Sequence, residues 1–198
     1  MVNSLVVLIS VSIITLTSIF ILISKDWRHA IGALLVQYVG VFILVRGFWP
    51  LEMAIAKMLA GWMAAAILGI AMFYSRDAWL DTEKAVKYGA IFRISAVLLL
   101  ALTVTSLVLS TESWISSINF PILWGSFILI AIGLLQLSLT SHPLRVILGL
   151  LTVLSGFEII YASVETSTLV AGLLAVVNLG LALVGAYLLI SPTMETNP

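Results

Sequence analysis

The chain has 198 residues, 62% of them apolar and only 9% charged, with nine acidic and nine basic side chains and no cysteine. Its mean hydropathy is +1.23. This composition excludes a soluble globular domain, whose surface would lack polar cover, and the missing cysteines exclude disulfides, thiolate metal sites, Cys-ligated iron–sulfur clusters and haem thioether links. What remains is an integral membrane protein.

The first stretch, MVNSLVVLISVSIITLTSIFILIS, lacks the basic n-region and small-residue cleavage site of a signal peptide and reads as a retained helix. Seven apolar segments are long enough to span about 30 Å of hydrocarbon at about 1.5 Å per residue. They run over Ser4–Ser24, His29–Phe48, Leu51–Tyr74, Tyr88–Leu109, Pro121–Leu139, Leu144–Ala162 and Ser167–Ile190. In lipid the backbone must satisfy its own hydrogen bonds, and the alternation that a closed barrel needs is absent, so all seven are expected to be helices. The expected class is therefore an all-α integral membrane protein with seven transmembrane helices.

The segments are separated by SKDWR, GFWP, SRDAWLDTEKAVK, STESWISSINF, SHP and SVETS. Lys25, Arg28, Arg76, Lys84, Lys87 and Arg145 fall on one side, and only Arg46 falls on the other, with Glu112 and Glu165. By the positive-inside rule the N-terminus is outside and the C-terminus cytoplasmic. Trp49, Tyr74, Trp79, Tyr88 and Trp114 lie near segment ends, as an interfacial aromatic belt requires. The SRDAWLDTEKAVK stretch reads as a solvated cytoplasmic loop, with Asp81 or Thr82 able to cap a short surface helix. No extramembrane portion is large enough to bind nucleic acid or a soluble substrate. Both histidines, His29 and His142, sit in polar connections, which argues against a bis-histidine haem within the membrane. No cofactor or metal is expected.

An internal repeat is expected. Ser24–Val36 lies over Ser141–Val153 without a gap, with Ser24/Ser141, Arg28/Arg145, Gly32/Gly149, Leu34/Leu151 and Val36/Val153 coinciding. Leu59–Met72 lies over Val170–Leu183, matching Gly61 to Gly172 and Gly69 to Gly180. Duplicated units are a common ground plan of membrane transport folds. The division is residues 1–76, a first three-helix unit; 77–119, a cytoplasmic loop and spacer helix; and 120–198, a second three-helix unit with a short cytoplasmic tail. The spacer adds one crossing, so the two units are parallel repeats. Gly61, Gly69, Gly172 and Gly180 are expected to let helices approach closely.

Charges within the apolar segments carry the functional argument. Glu158 lies midway along the sixth segment, where a charge costs roughly 2.5–3.5 kcal/mol on insertion scales. It reads equally as a protonatable relay group or as a carboxylate satisfied at a subunit interface. Lys57 sits at similar depth in the third segment, five residues after Glu52. An outward snorkel, with Glu52 or Arg46 as partner, is the slightly favoured reading. Arg93 reads as a snorkelling anchor on the cytoplasmic side, where Arg28 and Arg145 also lie. Asn178 is a lone amide at a helix centre and reads as interhelical glue, with a water-chain role as the alternative. The repeat pairs Glu158 with Val41, Lys57 with Thr168 and Asn178 with Ile67, so charge is asymmetric between the units. There is no HExxH, no P-loop and no nucleophile beside a base; no active site of the chain's own is expected.

The stretch HPLRVILGLLTVLSGFEIIYASVE, followed by LVAGLLAVVNLGLALVGAYLL, resembles the small three-helix subunits of the complex I and Mrp-antiporter superfamily: the K chain of bacterial complex I (chain 4L in mitochondria) and the Mrp C chain. The resemblance rests on Arg145, Gly149-Leu150 and Gly180–Leu183. Two such units in one chain resemble the elongated membrane subunit of hydrogenase-4-type complexes. Two departures stand out. The K chains carry a glutamate directly after the Gly-Leu pair, where this chain has Leu151, and their second glutamate falls at Val176. A complete two-glutamate relay is therefore not carried over. The resemblance implies a non-catalytic subunit of a proton- or ion-translocating complex in a prokaryotic inner (plasma) membrane. Its partners would be other membrane subunits, including a large antiporter-like chain, and the lipid bilayer. The relay candidates are Glu158, Lys57, Glu52 and Asn178. A stand-alone small carrier and a purely structural scaffold subunit are the alternatives.

Overall fold

The computed structural model describes residues 4–75, 89–111 and 119–195. They form seven helices: α1 (Ser4–Ile23), α2 (Trp27–Val45), α3 (Leu51–Tyr74), α4 (Ala90–Thr111), α5 (Phe120–Leu139), α6 (Pro143–Val164) and α7 (Thr168–Glu195). Each is long and apolar enough to cross a membrane, as the sequence leads one to expect, and α3 coincides with the expected segment residue for residue. The charged stretch at 76–88, with Asp81, Thr82, Trp79 and Tyr88, lies outside the described residues, as does Trp114.

Local chemistry explains the breaks. Pro143 opens α6 and Pro121 sits in the first turn of α5, positions where a proline's missing N–H has no intrahelical partner to lose. Pro50, in extended backbone, precedes α3 and prevents α2 from running on into it. Between helices, water is within reach of the unpaired terminal amides, so short polar turns suffice.

Helices α1, α2 and α3 pack in sequence, as do α5, α6 and α7. The two groups face each other pairwise: α1 against α5, α2 against α6, α3 against α7. Helix α4 stands outside this arrangement, packed on α5 and touching α1 lightly. The Trp124 indole N–H donates to the Thr105 hydroxyl (3.0 Å) and fastens α4 to α5.

Two apolar cores form where the groups meet. One gathers Val11, Ile14, Trp49, Ala54, Leu129 and Ile159; the other gathers Leu34, Tyr38, Ala64, Leu68, Leu148 and Ala182. Much of the outer surface is apolar as well, with Leu99, Leu102, Leu169, Val176 and Tyr187 exposed on α4 and α7. That surface suits lipid or a neighbouring membrane chain rather than water.

Hydrophobic burial drives no helix pairing in hydrocarbon, so close packing has to. Helices α5 and α6 bring backbone close to backbone. A Cβ on Gly133 would stand 2.6 Å from Val153 Cγ2 and 2.8 Å from the Gly149 carbonyl oxygen; one on Gly156 would stand 2.7 Å from the Ser126 carbonyl oxygen. This corrects part of the sequence reading. Gly61 does allow a close approach, to the ring of Tyr38, but Gly172 and Gly180 have nothing within 4 Å and Gly69 makes only an ordinary contact. Spacing along one helix identifies small residues without saying which of them meets a neighbour.

Both ends of the bundle are tied by polar contacts. At the end holding Arg145, its Nη2 donates to the Ser24 carbonyl (2.7 Å), and Arg93 Nη1 donates to the Leu22 carbonyl (2.7 Å). The two arginines thus cap the C-terminal turn of α1, where carbonyls lack helical partners and the dipole favours positive charge. Arg93 is 5% exposed, so it is a buried cap rather than the snorkelling anchor expected. The reason is a waiting set of carbonyls closer than the membrane surface. Arg28 is exposed and lies over the Trp27 ring (5.3 Å). At the opposite end, the Trp49 indole N–H donates to the Glu165 carbonyl (2.9 Å). Trp49 is only 4% exposed and is thus a core residue rather than a member of an interfacial belt; Tyr74 is 75% exposed and fits that belt.

Candidate functional site

The seam between the two apolar cores holds the most deeply buried charges among the described residues. Glu158, on α6, and Lys57, on α3, form an ion pair there, with side chains 1% and 4% exposed respectively. The expected snorkel of Lys57 is thereby overturned: its stem points inward, because an opposite charge at the same depth is a better partner than a distant interface. Helix direction permits the match. Lys57 is about 9 Å into α3 from Leu51, and Glu158 is about 9 Å short of the end of α6, both measured from the Trp49 end.

Two further side chains complete the cluster. Asn178, on α7, donates from Nδ2 to Glu158 Oε1 (3.4 Å). The Tyr38 hydroxyl, on α2, donates to Asn178 Oδ1 (3.2 Å). The Tyr38 ring also lies 5.3 Å from the Lys57 ammonium, a cation–π contact in a setting without competing water. Four helices therefore each supply one group to a single site. Gly61 makes room for it, since any side chain there would collide with the Tyr38 ring.

Glu52 does not join this cluster; it is exposed at the start of α3. Asn178 is fully buried and does bridge helices, as expected of interhelical glue, and one of its partners is Glu158, the one buried acidic group among the described residues.

Sequence reasoning missed Tyr38 and a second polar group beside it. Ser18 Oγ approaches Gln37 Oε1 (3.3 Å), and Gln37 Nε2 approaches Thr152 Oγ1 (3.5 Å), joining α1, α2 and α6. All three are at most 1% exposed. A signal was available. Thr152, Ser155 and Glu158 are spaced by three and fall on one face of α6, and Gln37-Tyr38 interrupts the apolar middle of α2.

The site is suited to holding or exchanging a proton. A carboxylate and an ammonium in contact, shielded from water and bonded to neutral donors, can shift charge between them at little cost, whereas an isolated charge in the same place could not persist. No group of three or more potential metal-binding side chains occurs among the described residues. Comparisons with protein-family models, with curated proteins and with solved structures return no match.

Proposed function

We propose that this chain is a non-catalytic membrane subunit of a multi-subunit proton- or ion-translocating complex, and that the Lys57–Glu158 pair is its proton-exchanging station. One observation carries the reading: an ion pair, with amide and phenol partners, buried at membrane depth between four helices. Intramembrane ionisable groups mark ion paths and proton relays more often than they serve packing alone. The resemblance to complex I K chains and to hydrogenase-4-type membrane subunits supplies the kind of complex. The pairwise facing of α1–α3 and α5–α7 supports a chain built from two parallel three-helix units. With the positive-inside rule, the Arg145 end is cytoplasmic.

A second reading has its own support. The two charges meet each other within one chain, and the α5–α6 contact is tight enough to hold two helices without them, as befits a scaffold subunit. A stand-alone carrier is less favoured. The cleft between α1, α2 and α5, lined by Val7, Ile43, Phe48 and Ile122, is mostly apolar and does not include the charged pair.

The deciding experiment is Glu158→Gln in the native membrane, followed by mild-detergent isolation. Intact co-purification of large hydrophobic partners with loss of translocation is expected. Normal translocation by an assembled variant overturns the relay role; loss of the assembly itself favours the scaffold. A chain that purifies alone and transports solute in vesicles favours the carrier.

A further inference from the structure

We infer that the cleft between α1, α2 and α5, at the Trp49 end of the bundle, seats one anionic phospholipid: an acyl chain fills the cleft and the phosphate meets Arg46. The cleft includes neither member of the ion pair, so its use of a lipid is independent of any proton exchange there.

Size and lining call for an apolar occupant. The cleft holds about 170 Å³. Val7, Leu44 and Ile122 form a buried floor, Ile43 and Phe48 are half-buried walls, and Asn119 is exposed at the mouth. An apolar cavity of roughly 150 Å³ stays dry and takes up an apolar molecule the size of benzene. Inside a membrane the abundant filler of that kind is an acyl chain.

Depth fits a lipid too. Val7 lies about 5 Å into α1 and Ile122 about 3 Å into α5, while Arg46 directly follows the last residue of α2. The polar zone beyond the hydrocarbon is about 5–8 Å deep on each side. The floor is therefore level with the upper acyl chain, and Arg46 is level with the headgroup.

Charge selects which headgroup. Arg46 is exposed, and it is the one basic side chain outside the core at this end among the described residues. No described carboxylate pairs with it. Glu52 and Glu165, exposed at the same end, belong to the ends of α3 and α6, neither of which lines the cleft. A guanidinium matches a phosphate in both geometry and charge, whereas a zwitterionic headgroup brings a cation of its own. Asn119 adds a neutral group: it stands at the N-cap of α5 without a side-chain capping bond, which leaves its carboxamide for an ester carbonyl of the lipid.

The rim is already in place. The Arg46 amide donates to the Phe42 carbonyl (2.9 Å) and the Phe48 amide to the Val45 carbonyl (2.9 Å), while the Trp49 indole is fixed on the Glu165 carbonyl. Little ordering is then lost when a lipid binds. Since α1 and α2 belong to one group of helices and α5 to the other, the bound lipid joins the two groups at this end.

The test uses the full chain in mild detergent, offered equal amounts of phosphatidylglycerol and phosphatidylcholine with the same acyl chains. Retained lipids are counted by native mass spectrometry. One phosphatidylglycerol per chain should be kept about fivefold over phosphatidylcholine, the preference that one basic side chain gives at a lipid surface. It should also raise the unfolding temperature more than phosphatidylcholine does. Arg46→Gln should bring the ratio to one and abolish that difference. Ile43→Phe, whose ring enters the cleft from a half-buried wall, should lower retention of both lipids. Arg28→Gln, at the other end, should leave the ratio as it is. A wild type that keeps no lipid, or keeps both equally, overturns the assignment. So does a preference that survives Arg46→Gln, or undiminished retention in a folded Ile43→Phe. If Ile43→Phe does not fold, Arg46→Gln, a surface change, decides alone.

Discussion

The α5–α6 contact and the seam between α3 and α6 solve the same problem by opposite means. At α5–α6, glycines remove side chains, so that Gly133, Gly149 and Gly156 bring backbone against backbone and dispersion acts over a long, close surface. At the seam, side chains reach across: Lys57 meets Glu158, Asn178 donates to Glu158 Oε1, and Tyr38 donates to Asn178. The first interface tolerates no added atoms. The second tolerates no unpaired charge. In hydrocarbon the first arrangement stabilises by contact, whereas the second stabilises mainly because any rearrangement would strand an ion.

The largest effect should follow from breaking the seam on one side only. Glu158→Ala leaves the Lys57 ammonium buried without its partner and should cost about 3–5 kcal/mol, read from unfolding in mixed detergent micelles. Lys57→Met together with Glu158→Leu should recover most of that loss. Equal instability of the double variant would show that the seam is held by shape and not by charge. Next comes Gly156→Ala, whose methyl meets the backbone of α5 and cannot be accommodated by a rotamer change; about 1–3 kcal/mol is expected in the same assay. Trp49→Phe keeps the ring volume approximately and deletes the bond to Glu165, for about 1 kcal/mol. The smallest cost belongs to Gly172→Ala and Gly180→Ala, which face open space. They should be neutral, or stabilising by up to about 1 kcal/mol through helix propensity, and a clear loss of stability would mean that another chain packs there.

The architecture was legible because it is written in long apolar runs: a segment such as Leu51–Tyr74 needs no partner to declare itself. Pairing is a different kind of information. Lys57 looked like a snorkelling lysine because Glu52 is its neighbour in sequence, whereas Glu158, its neighbour in space, lies three helices on. Glu158 and Asn178 stood out for their rarity in apolar helices, but nothing in either helix says that they touch. Tyr38 escaped notice because an aromatic residue in an apolar helix resembles core packing, and its hydroxyl matters only once Asn178 is opposite. The glycines failed in the reverse direction: Gly32 and Gly149, matched by the repeat, have open space in one case and a tight contact with α5 in the other.

The two arginines at the end of α1 bear on how the chain is made. Helices leave the ribosome in order, and α1 emerges before α4 and α6, with its last carbonyls unpaired. The Leu22 carbonyl receives its donor only when α4 arrives with Arg93, and the Ser24 carbonyl only when α6 arrives with Arg145. The first helix is therefore finished by the fourth and the sixth, so a nascent chain halted after α3 should keep that terminus accessible to solvent and to proteases. Closure of that end of the bundle waits for α6.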